Sequence, residues 1–189
     1  MNHQVNQVDG GLHRELPMGR RLFEAGGQGP VWQVAAGMFR LERQSEQGLS
    51  FVQLALPGDL LGVEMLCAES YGMTATALVD SQAVPLDLAG AGEREQALMK
   101  ALLQQQMRAV DTVRMRSGTV SSRVDHFLST LARATGAMTQ RVRDCDLPYL
   151  RDIAQIVDSA PESVCRAMGA LVAPRSRARP QRRTVQAPA

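Results

Sequence analysis

The chain has 189 residues, of which 44% are hydrophobic and 21% charged, and its formal net charge is +2. This composition is typical of a globular protein with a packed core and excludes an intrinsically disordered chain. No apolar run approaches the roughly 20 residues of a membrane span. The polar N-terminus also lacks the basic and apolar parts of a signal peptide, so we expect a cytoplasmic protein with no membrane partner.

Charge is unevenly distributed along the chain. Residues 1–95 hold six arginines against twelve acidic residues, a net charge of −6, whereas residues 96–189 hold fifteen basic residues against seven acidic ones, a net charge of +8. A basic half favours a polyanionic partner such as nucleic acid.

The scattered Cys67, Cys145 and Cys165 favour neither a disulfide framework nor a metal site. We expect no cofactor and no enzymatic activity, since no nucleophile–base pair or phosphate loop is visible.

Short apolar or alternating runs, separated by glycine and proline, fill residues 20–87. They include "VWQVAAGMFRLERQ", "LSFVQLAL", "LLGVEML" and "MTATALVDSQAVPLD". Strands of this length with turn residues between them predict an antiparallel barrel or roll. We place this roll at residues 16–92, after a polar segment at 1–15, with a turn at Pro57-Gly58-Asp59.

One long amphipathic helix is predicted for residues 93–117, which contain neither proline nor glycine. Gln104, Gln105 and Arg108 fill one face of this helix. The apolar stripe is narrow and close to a heptad seam, which suits pairing with a second copy of the chain. Packing of the stripe against its own domain is an interpretation of equal standing. The stripe consists of Met99, Leu103, Met107, Val110 and Val113.

Residues 118–189 begin with a second predicted helix, "VSSRVDHFLSTLARATG", and continue with two short ones. The second helix has a predicted buried face of Val124, Phe127, Leu128, Leu131 and Ala132. The first short helix has an apolar stripe of Leu150, Ile153, Ala154 and Val157. The other has an inward face of Val164, Ala167, Met168 and Leu171. Because only "DSA" joins the two short helices, they predict a helix-turn-helix.

The outward face of the last helix carries Glu162, Cys165 and Arg166, at positions i, i+3 and i+4. On an ordinary surface helix this pattern is a solvated Glu–Arg pair. In a helix-turn-helix the same face lies in the major groove, where Arg can bridge guanine O6 and N7 and Glu can accept from cytosine N4. We add Ser163 to the predicted DNA-binding residues.

Two starts are possible for this last helix. Ser159 and Glu162 could form a Ser-x-x-Glu capping box, which would turn the Glu162 carboxylate toward the helix start. Alternatively Ala160 is the cap, Pro161 takes the first helical position and Glu162 stays free. We favour the second arrangement, because proline is common at that position.

Several segments in this order resemble the Crp/Fnr family of bacterial transcription regulators. "LFEAGGQGPVWQVAAGMFRL", "LALPGDLLGVEML" and "TATALVDSQAV" are similar to the family's β-roll, "SSRVDHFLSTLA" to the helix after its dimer helix, and "LRDIAQIVDSAPESVCRAMGAL" to its helix-turn-helix. The resemblance covers the chain from about residue 16 onward. It implies a homodimer that binds an inverted-repeat operator in double-stranded DNA, with RNA polymerase as a further partner, and gives Glu162 and Arg166 the base-contacting positions.

The sequence departs from the family at its ligand positions. Members that bind cyclic AMP use Gly-Glu, Arg-Ser and Thr-Ser pairs, and members with an iron–sulfur cluster need a cysteine group near the N-terminus. The first cysteine here is Cys67, so neither ligand is expected and the effector is unknown. The aligned pairs are Gly62-Val63, Tyr71-Gly72 and Arg108-Ala109. Candidate residues of an effector pocket are Gly62, Glu64, Tyr71, Thr74 and Thr76.

The turn and the tail also depart from the family. Asp158 stands where glycine is usual, and aspartate tolerates a left-handed backbone better than most residues. The family's two-stranded wing has only a weak trace here, because Pro174 and Pro180 would remove backbone donors from a hairpin. We predict a degenerate wing whose arginines, including Arg175 and Arg177, contact phosphates; a solvated tail is the alternative.

The predicted function is therefore that of a homodimeric, sequence-specific DNA-binding regulator. The alternative is a ligand- or protein-binding β-roll dimer with a vestigial helix-turn-helix, which the degenerate wing favours. A third hypothesis gives Cys165 a redox role, against the simpler interpretation of a small residue that fits the groove.

Overall fold

The computed structural model describes residues 7–8, 11–46, 48–67, 69–136 and 147–171. Within them, ten short strands precede four α-helices, an order that confirms the predicted α+β class. The strands are β1 Gln7–Val8, β2 Gly11–Leu12, β3 Arg14–Leu16, β4 Arg21–Phe23, β5 Trp32–Ala36, β6 Phe39–Ser45, β7 Gly48–Ala55, β8 Leu60–Leu61, β9 Thr74–Ala77 and β10 Ser81–Pro85. The helices are α1 Ala91–Arg116, α2 Val120–Ala134, α3 Leu150–Ile156 and α4 Pro161–Leu171.

Two four-stranded antiparallel sheets form the first half of the molecule, with strand orders β3-β10-β5-β8 and β4-β9-β6-β7. Alternation along β6 sends Phe39 and Leu41 into the layer between the sheets, where they join Leu16, Val34 and Ala75. All five side chains are at most 4% exposed. The two antiparallel sheets with one buried apolar layer agree with the predicted roll.

Two stretches of the strand region differ from the prediction. The run "LLGVEML" forms only β8 before a 3-10 helix over Val63–Cys67, and the chain changes direction at Gly62, which has a φ of 70°. The run "MTATALVDSQAVPLD" is divided into β9 and β10 by a bend at residues 78–80. The predicted turn after β7 is confirmed, because Gly58 has a φ of 91° and the Asp59 N–H donates to the Leu56 carbonyl oxygen at 2.9 Å.

Local capping sets the bounds of the long helix. Helix α1 begins two residues before the predicted start, since the Glu93 carboxylate accepts the Gly90 N–H at 3.1 Å. It ends at Arg116, one residue before the predicted end, and Gly118 follows with a φ of 84°. None of the described helices combines the length and apolar character that are needed to cross a membrane.

A second apolar core joins α2, α3 and α4 to the sheet that contains β7. Phe127 of α2, Ile153 of α3 and Val164 of α4 are fully buried there, as predicted. Leu150, the first member of the predicted α3 stripe, is 37% exposed and lies outside this core. The buried side of α3 instead includes Asp152, whose charge has an arginine partner in the roll.

Candidate nucleic-acid interface

Helices α3 and α4 are joined by the four residues 157–160. The Ser159 N–H donates to the Ala154 carbonyl oxygen at 3.0 Å, which closes the end of α3. Asp158 has a φ of 49° and is the only described residue other than glycine with a positive φ. The expected left-handed backbone at this position is therefore confirmed, and it turns the chain into α4.

The start of α4 follows the favoured alternative. Pro161 is the first helical residue. The Ala160 carbonyl oxygen accepts the N–H groups of Ser163 at 3.0 Å and Val164 at 3.1 Å, so Ala160 is the cap. The Glu162 side chain is exposed. Since the Ser159 N–H donates to the Ala154 carbonyl oxygen rather than to Glu162, the carboxylate is not held in a capping box with Ser159.

The two faces of α4 differ sharply in burial. Val164 is 0% exposed, and Ala167, Met168 and Leu171 pack half-buried against the same core, as predicted. Glu162, Cys165 and Arg166 are exposed and Ser163 is half-buried. Among the described residues, the Arg166 guanidinium hydrogen-bonds to the Ser163 Oγ at 3.3 Å rather than to Glu162. The predicted base-contacting side chains are thus free of the surface salt bridge that their spacing suggested.

The predicted phosphate-contacting residues Arg175 and Arg177 lie outside the described residues, as does the predicted wing. Their roles stay predictions.

Three arginines that the sequence analysis did not single out contact α3 or the turn after it. They come from β6, α1 and α2, and are Arg40, Arg116 and Arg123. Each lies at least 34 positions from its partners in the sequence. No local spacing pattern marks such residues, so only the tertiary structure identifies them.

The apolar stripe of α1 is exposed along its whole length. Its five predicted members, Met99, Leu103, Met107, Val110 and Val113, are between 51% and 63% exposed. Leu98 and Leu102, at 43% and 57% exposed, widen the stripe. No described part of the chain covers it, which favours pairing with a second copy over packing against its own domain.

Polar side chains hold α1 against the roll instead. Gln104 is 6% exposed; its Oε1 accepts the Leu60 N–H at 2.6 Å and its Nε2 donates to the Leu60 carbonyl oxygen at 2.9 Å. Arg108 donates from Nε to Asp59 Oδ2 at 2.8 Å and from Nη1 to Asp111 at 2.6 Å. The inward side of this helix therefore includes the polar Gln104 and Arg108, whereas its apolar stripe points to solvent.

The sequence matches no family model and no curated protein. The structure resembles solved ones. A CRP-family transcriptional regulator from Thermus thermophilus is 22% identical, with a TM-score of 0.66 over 84% of this chain and 83% of that chain. FixK2 from Bradyrhizobium japonicum is 19% identical, with a TM-score of 0.60 over 85% and 84%. A second regulator from Thermus thermophilus, of the CRP/FNR family, is 21% identical, with a TM-score of 0.58 over 84% of each chain. The chain has the CRP/FNR fold.

In this CRP/FNR fold, Tyr71 fills space inside the roll. Its side chain is buried, and its ring stacks on Phe23 with 3.9 Å between the ring centroids. Its hydroxyl donates to the Pro30 carbonyl oxygen at 2.7 Å and accepts from Trp32 Nε1 at 3.2 Å. A Cβ added at Gly62 would clash with the ring. Burial raises the pKa of the Tyr71 phenol, so the group is a neutral hydrogen-bonding element of the core.

The other candidates for the effector pocket also have neighbours within the chain. Thr74 Oγ1 accepts the Ala25 N–H at 3.1 Å, and the buried Thr76 hydroxyl donates to Glu42 at 3.2 Å. Glu64 lies beside Gly72, where an added Cβ would come within 3.0 Å of its Oε1. Effector binding by these residues stays a prediction.

Proposed function

We propose that this chain is a homodimeric, sequence-specific DNA-binding transcription regulator of the Crp/Fnr type. The observation that carries the proposal is that two surfaces are exposed among the residues that the structure describes. One is the exposed apolar stripe of α1, and the other is the exposed Glu162–Cys165–Arg166 face of α4. In this scheme residues 16–92 are a sensor-like roll, 93–117 the dimerisation helix and 118–189 the DNA-binding domain.

The way in which α1 is fixed to the roll supports the proposal that the chain dimerises through this helix. Gln104 and Arg108 are engaged with the roll, so the helix cannot rotate its apolar side chains inward without breaking these contacts. An exposed stripe of at least five large apolar side chains at helical spacing is unfavourable in water. A second copy of α1 offers the same stripe, and two such stripes cover each other in a symmetric coiled-coil contact.

The geometry of α4 supports the proposal that this helix reads DNA. The helix is anchored by Val164 on one side and presents hydrogen-bonding groups on the other. As the second helix of a helix-turn-helix, α4 would enter the major groove, with Arg166 on guanine and Glu162 on cytosine. Ser163 and Cys165, whose side chains are shorter, would add further contacts to the DNA. The tail arginines Arg175 and Arg177 would contact phosphates and add affinity without sequence preference.

The effector remains unassigned in this proposal. The residues aligned with the family's cyclic-AMP contacts include Tyr71 and Arg108, both engaged within the chain, which supports the expectation that cyclic AMP is not the ligand. RNA polymerase is an expected partner.

Selection of bound duplexes from a random pool tests the proposal directly. Wild-type protein should enrich an inverted repeat whose half-site centres are about 10 to 10.5 base pairs apart. Arg166→Ala should relax the preference at one base pair per half-site, at a cost of about 1–3 kcal/mol. Arg133→Ala, the same change on the exposed side of α2, is the matched control and should leave the selected sequence unchanged.

The alternative of a vestigial helix-turn-helix predicts a different outcome. If the chain only dimerises, no sequence is enriched, and binding to random duplex is weak and insensitive to salt. A protein that contacts several phosphates instead loses affinity steeply as salt rises. Equal loss of affinity on selected and random duplexes in Arg166→Ala would contradict the assignment of Arg166 to a base.

A further inference from the structure

Two arginines converge on the carbonyl end of α3. Arg123 of α2 donates from Nη1 to the carbonyl oxygens of Val157 at 3.1 Å and Asp158 at 3.0 Å, while its Nε donates to Gly118 at 3.1 Å. The last carbonyl groups of a helix have no partner within the helix and carry partial negative charge. The Arg123 guanidinium therefore fixes the left-handed turn from which α4 starts.

The second arginine is Arg116, the last residue of α1. Its Nε donates to the Ile156 carbonyl oxygen at 3.3 Å, and its guanidinium carbon lies 5.2 Å from the centre of the Phe51 ring on β7. One side chain thus links the helix that carries the proposed dimer stripe, the roll and the end of α3. Arg116 therefore connects the helix of the proposed dimer stripe directly to α3.

A third arginine holds the other side of α3. Arg40 of β6 donates from Nη1 to Asp152 Oδ1 at 2.8 Å and lies 3.1 Å from Glu42 Oε2 through its Nε. The Asp152 and Glu42 side chains are only 12% and 3% exposed. A buried ion pair of this kind tolerates little movement, because separating the two charges leaves each of them unpaired and away from water.

We infer that Arg40, Arg116 and Arg123 are positioning residues that fix the orientation of the α3–α4 pair against α1 and the roll, and so set the half-site spacing that a dimer accepts. The inference rests on the proposed function. In a symmetric dimer built on α1, the distance between the two α4 helices depends on how each is oriented against α1. Side chains from α1, α2 and β6 that contact α3 or the turn after it restrict that orientation without any ligand.

The first test needs no DNA. Cys67 of the 3-10 helix and Cys165 of α4 are exposed thiols and can carry spin labels in full-length Cys145→Ser protein, diluted with unlabelled chain so that the distance within one protomer dominates. We expect a narrow distance distribution, which broadens in the double variant Arg116→Gln with Arg123→Gln. The matched control, Arg114→Gln with Arg133→Gln, removes the same charge from exposed positions of the same two helices and should keep the narrow distribution.

The second test measures binding of unlabelled proteins to duplexes that carry the selected half-site twice, with the spacer changed one base pair at a time. Wild-type and control proteins should discriminate against the wrong spacing by roughly tenfold or more, since spacing is set by geometry. In the double variant this preference should fall to about threefold or less. Its affinity for a duplex with a single half-site should stay within about twofold, because these arginines do not contact bases.

The outcomes separate the two proposals. An equally narrow distance distribution in the double variant overturns the inference, whether or not the protein binds DNA. A broader distribution with an unchanged spacing preference also overturns it, as does an equal loss of affinity at every spacing and on the single half-site. Absence of sequence-specific binding by the wild type, together with a broadened distribution in the variant, defeats the proposed function but keeps the orienting role. If the double variant does not fold, Arg123→Gln alone is measured with the same criteria.

Discussion

Helices α1 and α2 both carry an apolar stripe, but the two stripes lie on opposite sides with respect to the rest of the molecule. In α2 the apolar face is the buried one, with Val124, Phe127 and Leu131 all at 0% exposure. In α1 the buried positions are Ala97, Gln104 and Met115, while the apolar stripe is more than half exposed. Helix α2 is attached to the protein by its apolar face, whereas α1 is attached by a mixed face that includes a buried, hydrogen-bonded Gln104.

This difference indicates that the apolar face of α2 stabilises the fold of the chain itself, whereas the apolar stripe of α1 is available to bind another molecule. Burial of a Gln side chain is unfavourable unless its groups are paired, and Gln104 pairs both of its groups with the backbone of Leu60. A helix that is already fixed by such contacts does not need its apolar stripe for its own stability. The stripe therefore supports the proposed second copy of the chain.

The largest expected effect lies on the buried face of α2. Phe127→Ala should lower the free energy of unfolding by about 3–5 kcal/mol, because a fully buried ring leaves a cavity in the core that joins helices and sheet. Urea denaturation measures this loss. Met107→Ala on the exposed stripe, measured at concentrations where the chain is monomeric, should change stability by no more than about 0.5 kcal/mol. Equal losses in the two variants would remove the contrast between the helices.

A charge on the stripe of α1 should dissociate the dimer. Leu103→Glu brings two carboxylates per dimer into an apolar contact, and we expect the dimer Kd to rise roughly a hundredfold or more. Sedimentation equilibrium provides the measurement. Gln105→Glu introduces the same charge outside the stripe and should sediment like the wild type. A Leu103→Glu protein that remains as dimeric as this control contradicts the proposed interface.

The polar attachment of α1 should contribute measurably to stability. Gln104→Ala leaves the N–H and carbonyl groups of Leu60 without their side-chain partners, which we expect to cost about 1–3 kcal/mol in the free energy of unfolding. Gln105→Ala, the exposed neighbour, is the control for helix propensity and should have almost no effect. If the two variants unfold at the same urea concentration, α1 is not attached in the way its hydrogen bonds indicate.

The buried Tyr71 hydroxyl inside the roll should contribute less to stability than the Gln104 contacts beneath α1. Tyr71→Phe removes hydrogen bonds to Pro30 and Trp32 and should cost about 1 kcal/mol. Because burial raises the Tyr71 pKa above its ordinary value of 10.0, the unfolded chain loses the phenolic proton first. Stability should therefore fall as the pH rises above about 10, and less so in the variant.

Tyr149→Phe is the control for this last prediction, since Tyr149 is 49% exposed. The Tyr149→Phe variant should lose stability above about pH 10 to the same extent as the wild type. Urea denaturation at several pH values distinguishes the two variants, and identical alkaline declines in Tyr71→Phe and wild type would show that another group controls it.

Local sequence signals predicted most of the elements correctly. Glycine and proline marked the turn at Gly58 and the end of α1 before Gly118, and Pro161 marked the start of α4. These residues act through their own backbone preferences, so a short window of sequence is sufficient. Hydrophobic periodicity also identified the inward face of α4, because the buried residues of this helix recur at its own period.

The sequence by itself determined where the helices and turns lie and which side of each helix is apolar. Only the tertiary structure decided what each side contacts: that Gln104 is buried while Leu103 is exposed, that Asp152 rather than Leu150 faces the protein, and that Arg40, Arg116 and Arg123 meet α3. Periodicity is a property of neighbours three or four residues apart. Partners separated by 34 to 112 positions come together only when the roll and the helices pack, so no local pattern records them.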